Sequence, residues 1–338
     1  MRIQFGHSFN KIISIENLLK AWEEFSSDKK KNLDVADFSF RLMDNIIELR
    51  RDLLDNNYKH ADYQAFNIDD PKPRIIHKAI VRDRLLHHAV HRILYPFFSK
   101  TFITDSYSCQ LRKGTFKSIN QLRTFGNIVS KNNTRTCWIL KCDIRKFFAN
   151  IDHGILMNIL EKYISEEKLL WLLKDVVESF ESRPSVGLPL GNLTSQLLVN
   201  IYMNEFDQFM KHKLKAEFYM RYSDDFIILS EDMNWLKGVL FEIKDFLSAK
   251  LKLELHPDKV SIRTLSSGVD FLGWVNFPEH RVLRTSTKKR MFNNIEMTKG
   301  KNEVVQSYLG LLSHGNTEKL QGMVRDLSSV PFSTTIGE

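Results

Sequence analysis

Glu217-Phe218-Tyr219-Met220-Arg221-Tyr222 and Phe226-Ile227-Ile228-Leu229 are two strand-sized apolar runs joined through Ser223-Asp224-Asp225. Aromatic and branched residues on both sides of a short polar break predict a β-hairpin. Adjacent acids at its tip do not belong in a core, because unpaired buried charge is very costly. They can face solvent in a turn, or they can act as ligands. Upstream, Cys137-Trp138-Ile139-Leu140-Lys141-Cys142 reads as another strand and runs straight into Asp143. Carboxylates at neighbouring strand ends make an oxygen-rich site suited to Mg²⁺. Two such ions can clamp the attacking and leaving oxygens of an in-line displacement.

Outward from this centre, helices and strands alternate. Helical patterns cover Ile155 to Ser179, Leu193 to Lys213 and Trp235 to Leu251, and strands recur near Leu253 and over Phe271 to Val275. Toward the N-terminus, Ser14-Ile15-Glu16-Asn17 opens a helix with Leu18, Leu19, Trp22 and Phe25. A second helical run goes from Asp37 to about Leu54. Tyr63 to Ile76 reads as extended, with Pro71 and Pro73 at a turn, and a helix follows from about Ala79 to Phe98. From Thr285 to about Leu327 the chain is helical and polar. The order predicts an α+β fold with an antiparallel sheet.

A formal net charge of +8 favours polyanionic partners. Between Lys72 and Arg92 six Lys and Arg stand against one acid, Asp83. This stretch reads either as a solvated face or as a basic helix facing a nucleic-acid backbone. His87 and His91 have the i, i+4 spacing of a zinc pair, but His88 stands where a metalloprotease helix has Glu and no third ligand is evident, which disfavours zinc. No apolar run has the length of a membrane span, and the N-terminus shows no signal-peptide pattern. Three cysteines without metal or disulfide spacing fit a reducing cytoplasm.

Two more segments bear on chemistry. Phe148, five residues after Asp143, can pack against a nucleotide sugar or simply belong to the core, as Phe147 does. Asp152 reads as a helix N-cap. Gly187-Leu188-Pro189-Leu190-Gly191-Asn192-Leu193-Thr194-Ser195-Gln196 opens a helix, and its glycines permit a ligand to approach the backbone. It is neither a phosphate loop nor a nucleophile elbow.

Taken in order, Lys72-Pro73-Arg74, Tyr107 to Gly114, Asp143 with Phe148, Gly187 to Gln196, Tyr222-Ser223-Asp224-Asp225, His256-Pro257-Asp258-Lys259 and Phe271-Leu272-Gly273 resemble the reverse transcriptase family. The resemblance covers roughly residues 60–280. It implies a right-hand polymerase: an N-terminal helical extension at 1–60, fingers at 61–136, a palm at 137–284 and a helical thumb at 285–338. It implies that Asp143 and Asp224 bind two Mg²⁺ (or Mn²⁺), with Asp225 beside them and the backbone of Ile144 as a further ligand. Lys72 and Arg74 match residues that hold the incoming triphosphate, a task suited to a guanidinium fork. Phe148 matches the sugar gate, and Leu190, Gly191 and Gln196 the nucleotide-binding segment. Lys259 matches a lysine that protonates leaving pyrophosphate; it also reads as a surface lysine on a turn. Phe271, Leu272 and Gly273 match the primer grip.

Within the family the chain looks most like the reverse transcriptases of diversity-generating retroelements. Leu190 stands where most relatives place Gln, Ser195 is followed by Gln196 rather than Pro, and Ser-Tyr-Leu-Gly-Leu-Leu-Ser-His-Gly-Asn-Thr at 307–317 resembles that group's tail. This implies cDNA synthesis on a template RNA from a primer and dNTPs, with errors concentrated opposite adenine. A small helical accessory variability protein is the implied partner. An antiviral defence or group II intron-like enzyme remains open, as does an RNA-binding scaffold without catalysis.

Overall fold

The computed structural model describes residues 5–6, 8–69 and 73–329, so Lys72 and Pro71 lie outside the described residues. Helices α1 (Phe9–Ile12), α2 (Ile15–Ser26), α3 (Leu33–Phe40) and α4 (Leu42–Leu54) come first. Ser14 caps α2 as expected: its hydroxyl accepts the Asn17 N–H at 3.2 Å. The second helical run begins earlier than Asp37, at Leu33, and breaks at Arg41. Strands β1 (Gln64–Ile68) and β2 (Arg74–Lys78) form an antiparallel pair. Then come α5 (Val81–Phe98), α6 (Thr115–Val129) and β3 (Trp138–Asp143). The helix expected over 155–179 is two, α7 (His153–Glu161) and α8 (Glu167–Glu178). The Asp152 carboxylate caps α7, accepting the Ile155 N–H at 2.9 Å.

Helix α9 (Leu193–Gln208) continues as a π-turn over Phe209–Lys213. The central hairpin is β4 (Tyr219–Tyr222) and β5 (Asp225–Ser230), followed by α10 (Met233–Leu251) and β6 (Ser261–Thr264). The strand expected near Leu253 reduces to one bridge between Leu255 and Ile144. Likewise, Phe271 to Val275 is not one strand. It is a hairpin of β7 (Val269–Phe271) and β8 (Trp274–Asn276), extended by β9 (Arg281–Leu283). Leu272 and Gly273 both take positive φ, 50° and 89°, as a tight two-residue turn between twisted strands demands. Helices α11 (Thr285–Met297), α12 (Asn302–Leu312) and α13 (Glu318–Ser329) close the described chain.

The fold is α+β. Its main sheet is antiparallel in the order β4-β5-β3-β6. Side chains alternate across it. Leu140, Cys142, Tyr219, Phe226 and Ile228 enter a large core with α9 and α10. Ile139, Met220, Ile227 and Leu229 enter a second core with α6, β7–β9 and α11–α13. Cores thus pack on both faces of the sheet, and the end that carries Asp143 and Asp225 stays open. Among the described residues no helix is long and apolar enough to cross a membrane.

From Lys78 to Arg92 the basic stretch is not an open nucleic-acid face. Helix α5 is largely buried against its neighbours. Arg84 and Lys78 pair with Asp34 at 2.5 and 2.7 Å, Arg82 with Asp52 at 3.6 Å, and Arg92 with Glu24. Acids of the preceding helices therefore neutralise it. His87 is buried too, with Nδ1 2.8 Å from the Thr194 hydroxyl and Nε2 3.1 Å from Nε2 of His60. It is a hydrogen-bonded core residue.

Candidate active site

The hairpin tip is built from below. Ser223 has φ +59°, a left-handed conformation that is costly for a residue with a Cβ. Such strain persists only where the surroundings over-determine it. Here Arg221 does so. Its guanidinium is fully buried and donates to both Asp207 oxygens, at 2.8 and 2.6 Å. It donates as well to the Ser223 carbonyl at 3.0 Å, and to the Ser106 hydroxyl at 3.2 Å. The Tyr219 hydroxyl donates to Asp207 at 2.6 Å. A charged pair anchored in α9 thus fixes the turn that presents Asp224 and Asp225.

Pairing of β3 with β5 brings Asp143 directly opposite Asp225. Facing residues in such a pair have Cα atoms about 4.5–5.5 Å apart. The Ile144 N–H donates to the Asp224 carbonyl at 3.0 Å, which ties the third acid to the same strand end. These acids open onto a cleft of about 1790 Å³. Arg74, Phe148, Leu190, Gly191, Gln196, Lys259, Leu272 and Gly273 line the same cleft. Phe271 and Ile144 are buried and do not line it. The Lys259 ammonium, on an exposed side chain, lies 2.8 Å from Asp143 Oδ1. At Gly191, φ is +113° and a Cβ would lie 2.9 Å from Ile76. The Leu190 carbonyl accepts the His77 N–H at 3.0 Å, so this segment is docked onto β2.

The electrostatics suit a cation. Asp225 Oδ1 is buried without a hydrogen-bond partner. Burial pushes the Asp225 carboxyl up to about 7, although Lys141 opposes the shift. Burial, and then the Asp143 charge, raise Asp224. Clustered carboxylates raised by burial, one with an orphaned oxygen, fit a hard divalent ion. Among the described residues no three His, Cys, Asp or Glu side chains enclose a metal position by themselves. Mg²⁺ seldom asks for that: it keeps several waters and takes one or two carboxylates plus substrate phosphates.

Sequence reasoning overlooked Lys141. Its ammonium lies 3.7 Å from Asp225 Oδ2 and donates to the Asp270 carbonyl at 2.6 Å. It precedes Asp143 by two residues, so strand periodicity puts both on one face. That signal was available. Arg284 was overlooked as well: it pairs with Asp270, and its N–H donates to the Gly273 carbonyl at 3.0 Å. Together they tie the Leu272–Gly273 turn to β3 and α11.

The α+β fold, with its cleft at one end of an antiparallel sheet, is consistent with a polymerase. The family described as "Reverse transcriptase (RNA-dependent DNA polymerase)" matches residues 67–275, more than half of the chain. The chain belongs to that family, and its enzyme class is RNA-directed DNA polymerase. It is 24% identical over 297 residues to protein YkfC of Escherichia coli (strain K12), covering 75% of this chain and 76% of that one. It is 25% identical over 280 residues to the group II intron-encoded protein LtrA of Lactococcus lactis subsp. cremoris, covering 62% of this chain and 44% of LtrA. A putative COX1/OXI3 intron 2 protein of Saccharomyces cerevisiae (strain ATCC 204508 / S288c) is 22% identical over 331 residues, covering 77% of this chain and 38% of that protein. The chain thus spans most of YkfC but under half of either intron protein.

Proposed function

We propose that the protein copies a template RNA into cDNA by two-metal nucleotidyl transfer centred on Asp143, Asp224 and Asp225. The observation that carries this reading is the placement of all three acids at one sheet end, in a cleft shared with Arg74, Gln196 and Lys259. Bound Mg²⁺, or Mn²⁺ in its place, supplies Lewis acidity at the reacting phosphate and lowers the pKa of the attacking hydroxyl. Asp143 and Asp224 hold the ions, with Asp225 behind them. Arg74, with Lys72 from the neighbouring segment, binds the triphosphate. Phe148 packs against the sugar. Lys259, paired with Asp143, would give a proton to leaving pyrophosphate. In this reading residues 61–136 are fingers, 137–284 palm and 285–338 thumb, and Leu272–Gly273 grips the primer.

The diversity-generating subtype is the finer reading. Leu190 lines the cleft, and an aliphatic side chain there can make no hydrogen bond to nucleotide or template. Its natural setting is a cytoplasm, with a small helical accessory protein as partner. Likeness to LtrA favours a group II intron-like role as the second reading. Primer extension on an RNA template tests the activity, comparing wild type with the double variant Asp224→Ala/Asp225→Ala. Metal-dependent synthesis by the wild type alone is expected. Equal products from both, or none from either, overturn the proposal.

A further inference from the structure

The tail motif at 307–317 has a structural role that leads away from the cleft. Its Ser313-His314-Gly315-Asn316 segment links α12 to α13 and docks on β9. The Asn316 N–H donates to the Arg281 carbonyl at 3.0 Å, and the Thr317 hydroxyl donates to the Leu312 carbonyl at 2.5 Å. Gly315 sits against the Trp274 ring, where a Cβ would collide. Between this loop, α6 and the turn from Phe277 to His280 lies a separate pocket of about 220 Å³. It stands at the far end of the small sheet from the Leu272–Gly273 turn, roughly 10 Å away along a three-residue strand.

The pocket lining contains Arg123, Arg281, His280 and His314, and no acid. Arg281 Nη2 donates to Asn120 at 2.7 Å, but its Nη1 is buried with no partner. Burial and the Arg123 charge both depress the Arg281 pKa, so the two cations crowd each other with no acid in the pocket lining. His280 stacks on Phe277 and His314 on Phe116, with ring centroids 4.7 and 3.5 Å apart, which holds both imidazoles at the rim. A buried guanidinium nitrogen without an acceptor, in a small pocket of donors, calls for a compact oxyanion.

We propose that this pocket binds a phosphate group, from the backbone of an RNA strand running outside the catalytic cleft or from free phosphate. No cleft residue enters the argument, so it stands apart from the assignment of the catalytic acids.

The test uses the full chain and its Arg123→Gln and Arg123→Lys variants, with folding checked by circular dichroism. One arm measures a fluorescein-labelled single-stranded RNA by anisotropy across a salt series. The other measures inorganic phosphate by equilibrium dialysis. For a backbone phosphate, Arg123→Gln weakens RNA binding several-fold and lowers the log–log salt slope by about 0.7, and Arg123→Lys restores most of both. For free phosphate, only the dialysis arm responds. If folded Arg123→Gln binds RNA and phosphate as the wild type does, the proposal is overturned.

Discussion

At the scale of single residues, Asp225 makes the sharpest prediction. Its carboxyl is raised to about 7 by burial, whereas an unfolded aspartate titrates near 3.9. Between these values the folded metal-free protein binds more protons than the unfolded chain, so stability falls as pH rises. In thermal unfolding in EDTA, the contribution of Asp225, read as the difference between the wild type and Asp225→Asn, should decline from about pH 4 to 7. Asp225→Asn should stabilise the metal-free protein at pH 8. Arg221 and Asp207 make a second prediction. Asp207→Ala leaves a buried guanidinium without its partner, a change that costs about 3–5 kcal/mol. Denaturant unfolding should register it, and Asp207→Ala should also lose polymerase activity because the strained turn loses its support. Leu190→Gln should lower misincorporation opposite adenine, at about 1–3 kcal/mol for a regained contact. Misincorporation measured opposite each template base checks this; an unchanged error spectrum would remove the basis of the diversity-generating reading. The convergence of the three acids was legible, because two apolar strand runs flank Asp224 and Asp225 and a third strand ends at Asp143. Arg221 was not, since nothing in a lone strand arginine reveals which acid it meets.

At the scale of elements, hydrophobic periodicity located most helices and strands but misjudged their ends. The long run over 155–179 hid the break between α7 and α8, because apolar residues continue on both sides of it. Helix α6 was legible in the spacing of Ile119, Leu122, Phe125 and Val129, yet without acids or motifs it drew no attention. The β7–β8 hairpin was read as one strand because Leu272 gives no turn signal; only Gly273 does. Gly191 belongs to this scale as well. Gly191→Ala meets both a positive φ and the Ile76 side chain, so it should loosen the contact of β2 with the segment leading into α9. Steady-state kinetics should then show a raised KM for dNTP, with Arg74 no longer held against the cleft. An unchanged KM would mean that this junction does not shape the nucleotide site.

At the scale of the whole molecule, fold class followed from element order, but the electrostatic layout did not. The basic residues from Lys78 to Arg92 are spent on ion pairs with α2, α3 and α4. Arg263 in the cleft, by contrast, comes from a segment with no conspicuous charge run. Nucleic-acid binding should therefore weaken steeply with salt. Arg263→Gln should lower the slope of that dependence, while Arg84→Gln should reduce stability and leave the slope alone. Chain-distant pairing explains why this was hidden: a net charge of +8 says nothing about which cations are already matched. The account as a whole stands on cations held jointly by strand β3 and the β4–β5 turn. Manganese titration followed by electron paramagnetic resonance, with template–primer and a non-hydrolysable dNTP analogue bound, measures this directly. Two Mn²⁺ per chain are expected for the wild type and fewer for Asp143→Asn and for Asp224→Asn. Equal manganese uptake by all three proteins would contradict it.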